Sequence, residues 1–297
     1  MVSDFGDCCI VDLSEMKYIL LIIFFIFSNA HACEVIDDSG QQIKLARPAT
    51  RIISLAPDIT ENLFAIGAGV KLVGVVKGSD YPVQARSIPV IATYDSLDME
   101  SLLRLQPDLV IAWADTRFAP QLKKLNIPVY LTHPKHLIDV PQTLRRLGCL
   151  TATEKKAETV AADFMRQYHD LQKTYQSKQT ISVFFQVWFN PLITITQNSW
   201  IDEVIRLCGA RNIFSHLKGT APEVDLEAVL MANPDVIIGT DDSLNWQAHW
   251  QKWTKINAVK HQHFISVNAD RIERASPRLL EGTKDLCNAI EAVRHRR

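Results

Sequence analysis

The 297-residue sequence holds only 11 glycines, and none of them forms a phosphate-binding loop or a GxSxG nucleophile elbow. An HExxH zinc motif is missing too. These absences remove the parts that nucleotide hydrolysis and the common hydrolase chemistries require. Charge of one sign is also lacking: 32 basic residues face 33 acidic ones, the net charge is -1, and no long block of either sign occurs. A nucleic-acid groove and a polybasic membrane patch are therefore not expected. The remaining partner classes are a small molecule and another protein. HPKH (His133–His136) and HQH (His261–His263) have ligand-like spacings, but no further cysteine or carboxylate cluster accompanies them. They read as solvated turns, and no metal site is expected.

What is present is a core. The 47% hydrophobic content over this length suits a globular protein of two domains. Near the start, Lys17 precedes the apolar run YILLIIFFIF (residues 18–27), and AHA at Ala30–Ala32 has small residues where a signal peptidase cuts. Ten apolar residues are too few to span a bilayer. Residues 1–32 are thus expected to be a cleaved export signal, with Met16 as the true start because Asp4, Asp7, Asp12 and Glu15 make the preceding segment acidic. The expected location is the periplasm. A lipid anchor on Cys33 is the less favoured form, since Ala30 stands where a lipobox has leucine. Cleavage leaves Cys33, Cys149, Cys208 and Cys287 in an oxidising compartment, where at least one disulfide is expected.

Strand-like and helix-like segments then alternate. RIISLAP, KLVGVV, DLVIAW and IPVYLT read as strands, separated by the helices ITENLFAIGAG, DMESLLRLQ and FAPQLKKLN. The second half repeats the plan with ISVFFQVW, SWIDEVIRLCGA, DLEAVLMAN, DVIIGT, a helical SLNWQAHWQKWTKI, FISV and a closing helix. Between the halves, Ala157, Val160, Phe164, Tyr168, Leu171 and Tyr175 form one stripe of a long helix, and Thr151 with Glu154 has the spacing of a capping box. No Gly or Pro interrupts that helix and no Gly/Ser linker replaces it. The expected fold is α/β: two lobes with parallel sheets (50–145 and 178–297) bridged by one backbone helix (146–177), a ligand cleft between them, and little hinge closure.

One phrase occurs twice. DMESLLRLQPDLVIAW (98–113) returns as DLEAVLMANPDVIIGT (225–240), with Glu100 and Glu227 at equal distances before Pro-Asp. Each copy alone is explained by a helix-start carboxylate and a buried strand. The pair together suggests two equivalent acidic feet for a partner with near two-fold symmetry.

SDYP (79–82), PDLVIAW (107–113), CGARNIF (208–214) and ERASPR (273–278) resemble the periplasmic vitamin B12-binding family, the substrate receptors of cobalamin ABC importers. The likeness runs from about Arg51 to Ile290. PDLVI by itself is shared by many receptors for siderophores, haem and metals. The resemblance implies a monomeric receptor, not an enzyme, with no cofactor of its own and a corrinoid as ligand. It implies Pro57, Tyr94, Trp113, Asp270 and Arg274 as ligand-binding residues, and Glu100 and Glu227 as docking residues for the importer's transmembrane subunits. It also implies a Cys208–Cys287 disulfide, contributing on the order of 4 kcal/mol. Cys149 has no counterpart and reads as a buried apolar thiol. Gly78, Ile193 and Ala221 stand where the family usually has larger aromatics, and Tyr94 where it has Trp. Trp188, Phe189 and Trp200 are the nearby residues available to compensate. Cobalamin or a related corrinoid such as cobinamide is the expected ligand. Haem or a ferric siderophore is the alternative, and a tetrapyrrole-modifying enzyme the alternative from another class.

Overall fold

The computed structural model describes residues 33–122, 124, 126–240 and 246–296, so the expected export signal lies outside the described residues. The described residues begin with an antiparallel hairpin, β1 (Cys33–Ile36) against β2 (Gln42–Leu45), a segment that precedes the first expected strand. Next come β3 (Ile52–Ser54), α1 (Pro57–Ala65), β4 (Leu72–Val76), β5 (Val90–Ala92), α2 (Met99–Arg104), β6 (Leu109–Trp113), α3 (Ala119–Leu122) and β7 (Val129–Thr132). The five strands from β3 to β7 form a parallel sheet in the order β5-β4-β3-β6-β7. Helices cover such a sheet on both faces, so its central strands are apolar throughout rather than alternating. The first four residues of LVIAW are all buried.

Two helices follow, α4 (Asp139–Thr151) and α5 (Glu154–Tyr175), so the segment 146–177 holds the end of one and the whole of the other. They lie close because Gly148 has no side chain: a Cβ there would sit 2.5 Å from the Ala157 Cβ. The 22 residues of α5 extend about 33 Å at ~1.5 Å per residue. Ala157, Ala161, Phe164 and Tyr175 are its buried face. The expected Thr151–Glu154 capping box does not form. Thr151 belongs to the last turn of α4, where its hydroxyl bonds back to Leu147 O (2.7 Å), and α5 starts only after Ala152 has adopted a left-handed conformation.

The second lobe contains β8 (Ile181–Gln186), α6 (Trp200–Leu207), β9 (Ala210–Asn212), α7 (Leu226–Ala232), β10 (Val236–Thr240), α8 (Asn257–Lys260), β11 (Phe264–Val267), α9 (Ala269–Ile272) and α10 (Leu279–Arg294). Its parallel sheet has the order β11-β10-β8-β9. The long helix expected over SLNWQAHWQKWTKI is absent among the described residues, which show one 3-10 turn at Trp246–His249. The Trp246 indole lies directly on Gly239 of β10, so close that a Cβ there would meet it at 2.7 Å. Packing of that ring, and burial of Trp250 and Ile256 beside it, overrides the helical spacing.

A single core cluster runs from the hairpin through α4 and α5 to α10, joining both lobes. Two disulfides reinforce it. Cys208–Cys287 ties α6 to α10 as expected. Cys33–Cys149 ties β1 to α4, which corrects the reading of Cys149 as a free thiol. It also corrects the anchored form, because a sulfur bonded in a disulfide has no valence left for a thioether lipid.

Candidate functional site

Between the lobes lies a cleft of about 580 Å³. The first lobe contributes Trp113, Asp115 and His133–His136, which follow the carboxyl ends of β6 and β7; the second contributes Val187 after β8, Ile195, Gln197–Ile201, Gly219–Ala221 and Glu273. Carboxyl ends of parallel strands are where open α/β sheets bind ligands, since loops there leave a crevice instead of continuing the sheet.

Trp113 is half-buried at the end of β6, and its indole N–H donates to Asp58 Oδ1 at 2.9 Å. Asp58 is in the first turn of α1 and is buried. Burial pushes its carboxyl up to about 6; the Trp113 bond and backbone N–H groups of α1 oppose that rise, while nearby Glu61 adds to it. Across the cleft stands Trp200, the first residue of α6, with its centroid 5.9 Å from that of Trp113 and the planes tilted by 58°. The Trp200 N–H donates to Ile272 O at 3.0 Å. His133 packs edge-on to Trp113 at 6.2 Å.

Beside the cleft the two lobes are joined by a polar knot. Glu61 of α1, 4% exposed, accepts from Arg274 (2.8 Å), Arg278 (2.9 Å) and the Ser276 hydroxyl (2.6 Å). Arg274 also reaches Asp80 (3.1 Å), Gly78 O (3.2 Å) and Asp270 (2.5 Å), and Arg278 lies 3.7 Å above the Tyr81 ring. ERASPR thus binds one buried carboxylate, and SDYP, far away in sequence, meets the same two arginines through Asp80 and Tyr81. Among the described residues no group of three metal-ligating side chains is present, and no helix is long and apolar enough to cross a membrane.

The family model described as "Periplasmic binding protein" matches residues 52–271. The chain belongs to the periplasmic binding protein family. Its relatives include the vitamin B12-binding protein of Vibrio campbellii, 34% identical over 84% of this chain and 92% of that one. The vitamin B12-binding protein of Vibrio cholerae (strain O395) is 35% identical over 82% and 90%. The crystal structure of the periplasmic vitamin B12-binding protein BtuF of Vibrio cholerae superposes with a TM-score of 0.77 at 34% identity, covering 83% of this chain and 98% of that one.

In this periplasmic binding protein, Trp113 is the one expected ligand residue that lines the cleft. Pro57 opens α1, where its missing N–H is no loss, and is half-buried. Tyr94 lies after β5, 87% exposed, with the Arg117 guanidinium 5.9 Å above its ring. Asp270 and Arg274 are paired to each other beside the knot. Gly78 has φ +90°, which a side chain disfavours, so its lack of an aromatic is matched to its backbone. Glu100 and Glu227 are both exposed, each in the first turn of its helix, α2 and α7. Sequence reading missed three features. His133 lines the cleft rather than a solvated turn, Asp58 holds Trp113, and Glu61 holds both arginines. The last had a signal: an acidic residue within the apolar helix ENLFAIG needs a buried cation as partner.

Proposed function

We propose that this protein is a monomeric periplasmic receptor that captures cobalamin or a related corrinoid and delivers it to the transmembrane subunits of an ABC importer. It acts by binding, without chemistry. The observation that carries this reading is the interlobe cleft with two indoles, one at the end of β6 and one at the start of α6, in a chain about one-third identical to proteins named for vitamin B12 binding. A corrinoid is a broad apolar disc with an amide fringe, and it calls for aromatic surface with polar groups at the rim. Trp113 supplies surface, and the likeness to the B12-binding relatives adds Pro57 and Tyr94 from the first lobe. Asp270 and Arg274 supply rim polarity, Arg274 while remaining tied to Glu61. Glu100 and Glu227 are the docking feet.

A haem receptor is the second reading, and the imidazole of His133 in the cleft favours it, since histidine is a common haem ligand. The deciding experiment mixes the mature protein with cyanocobalamin, cobinamide, haem and a ferric siderophore, removes free ligand by gel filtration and records absorption spectra. Calorimetry then measures whichever is retained. One-to-one retention of a corrinoid supports the proposal; retention of haem or siderophore alone ends it.

A further inference from the structure

We propose that Trp200 is a specificity-determining residue, forming with Trp113 a two-walled aromatic corner in which the bound macrocycle stacks its flat face on the Trp200 ring and meets the tilted Trp113 ring at its edge. This rests on the ligand-capture reading above and assigns part of it to a residue that the resemblance leaves without a role.

Three aromatics stand near enough in sequence to replace missing wall area, and their surroundings separate them. Phe189 is already stacked on His249, with centroids 4.0 Å apart and planes 16° from parallel. Trp188 is 58% exposed, and its N–H is tied to Asn190 O at 2.9 Å. Both line a different cavity, of about 420 Å³, on the second lobe. Trp200 alone of the three lines the interlobe cleft.

The setting of Trp200 suits stacking for a chemical reason. Its N–H is spent on Ile272 O, and that of Trp113 on Asp58, so neither indole has a donor left for the cleft. What the corner offers is π face and C–H edge, a surface that favours a flat apolar ring over a hydrated chelate. The ring of Trp200 is also anchored. It begins α6, whose N-terminus is capped by the Ser199 hydroxyl accepting from Ile201 N (3.2 Å), and its far edge is held by α9. Gly219, Thr220 and Ala221 line the same cleft with small side chains, which leaves room for a disc. Gln197 and Asn198 place side-chain amides beside it, the Asn198 N–H donating to Gly219 O (3.0 Å) and so leaving its oxygen to accept from an amide fringe.

The test compares Trp200→Phe with Trp200→Leu, which keeps apolar bulk but no π face. Each is titrated calorimetrically with cyanocobalamin and with dicyanocobinamide, and urea midpoints confirm that each variant is folded. Expected is a loss of roughly tenfold or more in affinity for Trp200→Leu, with Trp200→Phe within about threefold of the parent. Leu binding as tightly as the parent overturns the inference. Equal losses in Phe and Leu overturn it as well, because the N–H bond to Ile272 would then matter rather than the ring. A parent protein that retains neither corrinoid defeats the capture reading itself, a separate outcome seen before any variant is made.

Discussion

The Glu61 carboxylate lies 2.8 Å from the Arg274 guanidinium across 213 residues of sequence, and that contact joins the two lobes beside the ligand cleft. Removing one member of a buried ion cluster leaves the others charged and unpaired, which costs about 3–5 kcal/mol. Glu61→Ala removes the carboxylate partner of Arg278 and the most buried of three from Arg274, which keeps Asp80 and Asp270; the two arginine side chains are 15% and 13% exposed. The variant is expected to lose that much stability in urea unfolding followed by circular dichroism. A change below about 1 kcal/mol, the scale of a surface pair, would show that the knot contributes only orientation.

The Cys33–Cys149 bond closes a loop with a sequence separation of 116, long enough for a large effect on the unfolded chain. In the chain-entropy account, removing a native disulfide costs about 2–5 kcal/mol. A Cys33→Ser/Cys149→Ser double variant should therefore unfold at distinctly lower urea under non-reducing conditions, while Cys208–Cys287 remains. Peptide mapping of the parent should recover Cys33 linked to Cys149. Finding Cys33 as a diacylglyceryl thioether would refute this pairing.

Asp58 gives a pH dependence whose sign is fixed by burial. Its carboxyl is raised from 3.8 to about 6, so the folded protein holds the proton more tightly than the unfolded chain does. The resulting stabilisation is complete below 3.8 and is lost as pH rises through about 6, a swing of about 3 kcal/mol. Carboxylates held low by hydrogen bonds act in the opposite sense: Asp98 through Ser101, Glu158 through Arg145 and Glu291 through Arg294. The informative quantity is therefore the difference between the parent and Asp58→Asn, whose amide oxygen still accepts from Trp113. The variant is expected to gain stability relative to the parent as pH rises across this window. Parallel stability profiles would mean that Asp58 is not shielded from water.

Much of this was readable from the sequence, for definite reasons. LVIAW and VIIGT are apolar on both faces and could only be strands of covered parallel sheets, and the stripe from Ala157 to Tyr175 has helical spacing throughout. The hairpin was not readable, because its two strands are only 4 residues each, too short for alternation to stand out, and its anchor, Cys149, lies far along the chain. Nor was the choice of Trp200 over Trp188. Both follow the same strand β8, and only tertiary packing turns one into the cleft and the other away from it.

The duplicated phrase leads to a prediction that separates capture from delivery. Glu100 and Glu227 each sit in the first turn of an exposed helix, where a carboxylate gains about 0.3–1 kcal/mol from the helix dipole. Reversing both charges therefore costs little folding stability. Glu100 has a neighbour of its own at 3.8 Å, Arg104, but that pair is exposed and weak. Against a partner, the cost is much larger: losing a hydrogen-bonded interfacial charge costs about 2–5 kcal/mol, and placing a cation against a cation adds repulsion. Glu100→Arg/Glu227→Arg should bind corrinoid within about threefold of the parent yet support less than roughly one-hundredth of its ligand-dependent uptake in proteoliposomes bearing the importer. Each single variant should fall between, since one foot still engages one subunit. Uptake at the parent rate by the double variant would remove the docking role from both residues and leave the repeat as a relic of duplication.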